Sequence, residues 1–190
     1  QYVPHPNVIF RGFAKLPPGH RAIFCDDRLT VEPYWTPDFN REQALDGKSA
    51  AEQLRERFES AVTLRLQSDV PLGAFLSGGV DSSLVAAIAQ RHVSRRLQTF
   101  SIGFPVKEYD ETRYARQVAE HLGTDHTELT AADASTDLLN ELAVQYDEPM
   151  GDSSMLPTFL VSREIRKHAT VALGGDGGDE LFGGYRTHCA

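Results

Sequence analysis

The stretch Leu76-Ser77-Gly78-Gly79-Val80-Asp81-Ser82-Ser83 constrains this chain more than any other, because of what flanks it. Pro71 to Leu76 is a short, mostly apolar run that opens on a proline, as a buried parallel strand does. Leu84, Val85, Ile88 and Ala89 then recur at helical spacing. The stretch reads as strand, tight loop, helix. A loop so placed lies at a helix N-terminus, where the first backbone N–H groups lack intrahelical partners and the helix dipole is positive, so a phosphate group is the expected guest. Gly78 and Gly79 let the backbone approach that guest without a Cβ in the way. Ser77, Ser82 and Ser83 add hydroxyl donors, and Asp81, which would repel a bare phosphate, suits a divalent cation bridging the two. The plainer alternative is a glycine turn before a serine-capped helix. A Walker loop is excluded, since no Lys follows the glycines.

Around this stretch, short apolar runs alternate with helical periodicity: strand 71–76, helix 82–93, strand 97–102, helix 110–122, strand 125–129, helices 133–146 and 155–168, strand 170–173. Such alternation predicts an α/β fold, a parallel sheet with right-handed crossovers and helices on both faces. Ahead of it, Leu54, Phe58, Ala61, Val62 and Leu66 recur at helical spacing, so 48–68 is expected to be an amphipathic helix covering the core. Residues 1–47 differ in character: prolines and short alternating stretches predict β-strands at Val8–Phe10, Arg21–Cys25 and Leu29–Tyr34, with turns at 15–20 and at Asp26-Asp27. So small a sheet cannot stand alone in water and needs a larger partner. Tyr34 to Gly47 reads as a linker, which sets the expected domain boundary between 47 and 48.

Ligands of parallel sheets sit outside the carboxyl ends of the strands. Three Gly-rich or polar loops follow three of the expected strands, so all three should face one crevice. The second is Ser101-Ile102-Gly103-Phe104, where the glycine lets the chain bend and a planar base can lie against backbone groups. The third, Gly174-Gly175-Asp176-Gly177-Gly178-Asp179-Glu180, packs carboxylates among glycines, a costly arrangement without a counter-charge. Oxygen ligands of this kind suit Mg²⁺, which uses one or two carboxylates plus substrate phosphates, and Asp81 and Asp179 are the pair expected on it. A solvated Asp-Gly turn is the alternative.

Composition narrows the rest. With 190 residues, 41% of them hydrophobic, the chain can bury a real core. A formal net charge of −8 without a basic cluster argues against nucleic acid or an anionic membrane as partner. Cys25 and Cys189 lie far apart with no CxxC spacing, so neither a zinc site nor a disulfide scaffold is expected, and a cytoplasmic setting fits best. No apolar run reaches membrane-spanning length. His126, with no His or Cys at ligand spacing, reads as structural. Asp152, Ser153 and Ser154 either bind substrate or cap the following helix.

The hexad Ser77–Ser82 resembles the pyrophosphate loop of ATP pyrophosphatases. Taken together with Ser101–Gly103, Tyr109-Asp110-Glu111, Leu122-Gly123-Thr124-Asp125-His126, Tyr146-Asp147-Glu148-Pro149 and Gly175–Tyr185, it resembles the glutamine-hydrolysing asparagine synthetases over roughly residues 70–186. Val8–His20 looks like the closing strands of that family's glutaminase domain, and 48–190 like the first part of its synthetase domain. The resemblance implies an adenine nucleotide α-hydrolase-like fold. It also implies a reaction in which ATP adenylates the side-chain carboxylate of L-aspartate, giving β-aspartyl-AMP and pyrophosphate, before ammonia displaces AMP. On that footing pyrophosphate sits on Ser77, Gly78, Gly79 and Ser82. Leu76 and Ile102 offer backbone contacts to the nucleotide, and Gly174 and Gly175 close over it. Asp176 occupies the position of the acidic residue that forms the intermediate or deprotonates ammonia. A related amidotransferase, a β-lactam synthetase-like ligase or a non-catalytic ATP-binding module is the alternative, and a homodimer is left open. Two departures stand out: Gly174 replaces a frequent serine, and Asp176 replaces Glu. Neither cysteine is placed as a glutaminase nucleophile and the later catalytic Lys is not reached, so the sequence is expected to be a fragment, inactive by itself, with the ammonia-supplying glutaminase domain outside it.

Overall fold

The computed structural model describes residues 3–38, 40, 43–103, 110–130, 136–146, 151–152, 154–185 and 188. Its elements in chain order are β1 (His20–Cys25), β2 (Arg28–Pro33), α1 (Gly47–Arg65), β3 (Leu72–Phe75), α2 (Val80–His92) and β4 (Gln98–Gly103). There follow α3 (Thr112–Leu122), β5 (Asp125–Thr130), α4 (Thr136–Tyr146), α5 (Met155–Ile165), β6 (Val171–Leu173) and α6 (Gly178–Phe182). They fall into two units, residues 1–46 with 135–155 and residues 47–134 with 156–190.

In the larger unit β3, β4, β5 and β6 form one parallel sheet in the order β5-β4-β3-β6. Each strand is short and inserts alternate side chains into opposite layers, as the two-residue period of a pleated strand requires. Ala74, Leu76 and Leu173 pack with Val62 of α1, Val85 and Ala89 of α2, and Ala115 and Ala119 of α3. Phe75, Phe100, Leu129 and Ala172 point the other way, onto Val161 and Ile165 of α5. Helices therefore cover both faces, as the alternation of strand and helix anticipates. The chain runs β3-α2-β4-α3-β5 in one direction across the sheet, returns by α5 on the opposite face, and adds β6 beside β3. The order reverses between β3 and β6, and such a reversal opens a crevice at the carboxyl ends.

Helix α3 stops where Leu122-Gly123-Thr124 lets it. Gly123 adopts φ 68°, its N–H reaches the carbonyls of Ala119 and Glu120, and Thr124 N–H bonds Ala119 O at 3.1 Å. At its other end the Asp110 carboxylate accepts both the N–H (3.2 Å) and the hydroxyl (2.8 Å) of Thr112, which holds that carboxyl below its usual range and starts the helix at 112 instead of 110. Arg116 of α3 clasps Glu128 of β5 through two bonds of 2.6 and 2.7 Å.

His126 is structural in its bonding. Its ring bridges two β4 hydroxyls, Thr99 Oγ1 at 3.0 Å and Ser101 Oγ at 3.2 Å, and Thr99 in turn bonds Thr124 Oγ1 at 2.8 Å. Burial pushes the imidazole below its ordinary value of 6.5, against the opposing pull of the Glu128 charge. The unfolded chain thus takes up this proton first on acidification, so stability is expected to fall as pH drops through 6.5 towards the lower folded value. Glu128, held down by its bonds to Arg116, acts below its own ordinary 4.5, in a separate window. Urea unfolding measured between pH 7 and 5 should show that slope in the wild type and a flatter one in His126→Gln. Equal slopes would place the titrating group elsewhere.

In the smaller unit β1 and β2 pair antiparallel from His20↔Pro33 to Cys25↔Arg28, around the two-residue turn Asp26-Asp27 with φ 50° and 59°. The expected strand Val8–Phe10 does not form: Pro4 and Pro6 lack N–H groups, and Asn7 N–H turns back onto Pro4 O at 3.0 Å, so the segment is a series of bends. Leu138 and Leu142 of α4 are buried. Phe104, Tyr109, residues 147–149, Ser153 and Cys189 lie outside the described residues. No helix among the described residues is long and apolar enough to cross a membrane.

Candidate functional site

A cleft of about 800 Å³ opens at the carboxyl ends of β3, β4 and β6. Ser77, Gly79, Asp81 and Ser82 line it from the first loop and Gly174, Gly175, Asp176 and Asp179 from the third, while Ile102, expected in a second loop, lines it from within β4, which runs on to Gly103. Leu76 lines an adjoining cavity of about 140 Å³ and carries the sheet ladder one step further, its N–H bonding Phe100 O at 2.8 Å. Gly78 lines neither. Its φ is +84°, and a Cβ there would meet Tyr114 Cβ at 2.5 Å and Ala115 N at 2.7 Å, so this glycine is required where the loop presses on α3.

The first loop is held by its own hydroxyls. Ser82 Oγ accepts the N–H of Ser77 at 3.2 Å, lies 2.9 Å from Ser77 Oγ and donates to Gly79 O at 3.3 Å, while Gly79 N–H bonds Ser77 Oγ at 3.2 Å. Gly79, in extended backbone, is the residue before α2, and no side chain caps the helix. The amide groups of its first turn, among them those of Asp81 and Ser82, therefore have no intrahelical acceptor at the cleft floor. Ser83 departs from expectation: its hydroxyl is buried, without a partner among the described residues, and does not reach the cleft.

The third loop is pressed against the first. A Cβ on Gly175 would lie 2.9 Å from both Asp81 Cβ and Ser82 N, and one on Gly178 would lie 2.5 Å from Asp81 Cγ, so the Asp81 carboxyl group rests directly on the glycine backbone. The Asp176 carboxylate folds back over Gly174, leaving no room for a serine there without moving it. Asp179 lies against Gly184, whose N–H bonds Asp179 O at 3.0 Å.

Sequence reasoning missed α6 and the contributions of Pro157, Thr158 and Val161 from α5. It also passed over Glu180 and Tyr185, although both stand within the quoted motif. Tyr185 donates to Glu180 Oε1 at 2.7 Å, a bond that lowers the carboxyl and raises the phenol. Among the described residues the charged side chains lining the cleft are Asp81, Asp176, Asp179 and Glu180, all acidic. Among the described residues no group of three or more His, Cys, Asp or Glu is arranged to hold a metal ion. The donor set is thus oxygen alone, in a site where an anionic ligand needs a cation for company.

An α/β domain with a polar cleft at the ends of its parallel strands, walled by a Gly-Ser loop and an acidic glycine loop, is the class defined here. The chain belongs to the asparagine synthase family, whose model matches residues 53–190. It is 40% identical to a putative asparagine synthetase (glutamine-hydrolysing) 2 of Methanocaldococcus jannaschii, over 98% of this chain and 37% of that protein. It is 35% identical to asparagine synthetase (glutamine-hydrolysing) 1 of Bacillus subtilis, over 99% of this chain and 30% of that protein. The chain therefore spans about a third of the length of these curated relatives. Among solved structures, the NH3-dependent NAD synthetase of Campylobacter jejuni matches at 17% identity with a TM-score of 0.45, covering 70% of this chain and 60% of its own.

Proposed function

We propose that the protein carrying this chain is an ATP-dependent amide-forming ligase that adenylates the side-chain carboxylate of L-aspartate and releases pyrophosphate, for attack by ammonia derived from glutamine. The observation that carries the reading is the meeting, at one cleft, of the glycine-rich loops that follow β3 and β6, the latter acidic, with Ile102 near the end of β4. The family membership of residues 53–190 supports it.

In this reading the amide groups at the start of α2, with the Ser77 and Ser82 hydroxyls and the backbone of Gly79, take the pyrophosphate portion of ATP, while Gly78 lets the loop pack on α3. Leu76 and Ile102 contact the nucleoside, and Gly174 and Gly175 close over it. Negative charge accumulates on the phosphates in the transition state, so preorganised donors supply much of the catalysis. Asp81 and Asp179 would hold Mg²⁺, which supplies charge neutralisation when bound. Asp176 stands over Gly174 as the base for the incoming ammonia. Residues 1–47 serve as the closing strands of a glutaminase-type domain and its linker. In support, the β1-β2 hairpin leaves Phe24 69% and Leu29 62% exposed, and a two-stranded sheet of that kind needs further strands.

The test is pyrophosphate release by the full-length protein with MgATP. A rise on adding L-aspartate is expected. Silence with aspartate but turnover with another carboxylic acid transfers the chemistry to another acceptor, and ATP binding without turnover on any acid leaves a nucleotide-binding module.

A further inference from the structure

Residues 91–96, Arg-His-Val-Ser-Arg-Arg, place three arginines and a histidine in six positions, a local excess of positive charge that the chain's net charge of −8 conceals. They lead from the end of α2 towards β4, and Arg95 and Arg96 line a cavity of about 290 Å³ together with Ser68, Leu72 and Gln98. Leu72 opens β3 and Gln98 opens β4, so the cavity lies at the amino ends of these strands, opposite the cleft. Both segments that line it fall within residues 43–103, all of them described.

A helix C-terminus attracts cations, and Arg91 and His92 in the last turn of α2 meet that need. Both also share Glu59, with His92 Nε2 at 2.8 Å and Arg91 Nη2 at 3.7 Å from its Oε1. Arg95 and Arg96 stand beyond the helix cap at Val93, and among the described residues neither side chain makes a hydrogen bond or ion pair. Asp69, between the lining residues Ser68 and Val70, and Asp125, across the ladder from Gln98, pair with neither arginine. The backbone beneath the two arginines is fixed. Val93 N–H bonds Ala89 O at 3.1 Å, Leu97 N–H bonds Gln90 Oε1 at 2.7 Å, and Asp125 N–H bonds Leu97 O at 2.9 Å. Two uncommitted guanidinium forks on a rigid turn suit the bidentate geometry of phosphate oxygens, and their long stems let both heads turn into a cavity at whose rim they are anchored. A cavity of this size favours a small anion over a nucleic acid, which would need a broad charged face.

We propose that this cavity is a second anion site, separate from the cleft, in which Arg95 and Arg96 hold a small ligand bearing one or two phosphate groups. The site stands independently of the nucleotide reading, since the described residues that line it and those that line the cleft do not overlap.

The measurement is titration calorimetry of the full-length protein with inorganic pyrophosphate, in EDTA at low salt, on the wild type and on a double variant carrying Arg95→Gln and Arg96→Gln. The wild type is expected to bind, and the double variant to lose about a hundredfold in affinity, roughly tenfold for each charge-assisted contact. Both arginines are exposed, so the urea midpoint should not move. Where it does fall, Arg95→Lys with Arg96→Lys, which keeps stem and charge but not the fork, decides instead: about a tenfold loss supports the site and no loss overturns it. Pyrophosphate taken up at the cleft is indifferent to these substitutions and cannot imitate the expected loss. Equal affinity in the wild type and the Gln double variant, or no binding by the wild type, overturns the inference and leaves the nucleotide reading untouched.

Discussion

Alanine at position 78 is expected to remove measurable MgATP binding and to cost the fold about 3 kcal/mol, the sum of a left-handed backbone penalty and an overpacked contact. The backbone at Gly78 has φ +84°, where any L side chain is strained. Its Cβ would press on Tyr114 Cβ and on Ala115 N, and the second is backbone within α3 that cannot rotate away. Relief must come from moving the loop off α3, which carries Ser77 and Gly79 with it and dismantles the hydroxyl bonds that set the loop. Gly123→Ala is the matched control. Its φ is 68°, yet nothing lies within 4 Å of the added Cβ. It should cost about 1 kcal/mol for the cap and leave nucleotide binding intact. Urea unfolding and titration calorimetry on both variants decide the matter. Wild-type MgATP affinity in Gly78→Ala would detach the first loop from the ligand.

That contrast shows what a linear sequence can and cannot disclose. Short apolar runs and helical periodicity were enough for the parallel sheet, because each strand needed only its own few residues to declare itself, and the reversal of strand order put the loops after β3 and β6 side by side. Gly78 was legible as a place of close approach, but the sequence suggested a phosphate as the neighbour, whereas the structure puts Tyr114 and Ala115 there. Nothing local to Gly78 reports that α3 will pass behind it. His126 was legible as structural and its partners were not, since Thr99, Ser101 and Thr124 meet it only through the pairing of β4 with β5. Val8–Phe10 failed for the opposite reason: a short apolar run suggests a strand, but a strand needs a neighbour, and the two prolines before it turn the chain instead. The cleft wall from α5 was hidden because a crossover helix chooses its face by topology, and its own sequence shows only that it is apolar.

Asp179→Asn and Asp81→Asn should each lower magnesium-dependent pyrophosphate release by a hundredfold or more, on the order seen when one charge-stabilising group is removed from a preorganised site. The argument turns on sign. With four acidic side chains and no basic one lining the cleft among the described residues, metal-free ATP is repelled there and a divalent cation reverses the interaction. Removing one carboxylate as its near-isosteric amide therefore acts in opposite senses under two conditions. With Mg²⁺ present, nucleotide binding and turnover fall, because a cation ligand is gone. In excess EDTA, ATP binds the variant no more weakly than the wild type, because one repelling charge is gone as well. A purely structural role cannot produce that inversion, since a distorted cleft weakens ATP with or without metal. Asp176→Asn supplies the third arm: if Asp176 is the base for ammonia, turnover drops while MgATP affinity holds, separating proton transfer from metal binding. Equal losses with and without Mg²⁺ in the Asp81 and Asp179 variants would remove both carboxylates from the cation and leave the acidic loop as packing against α2.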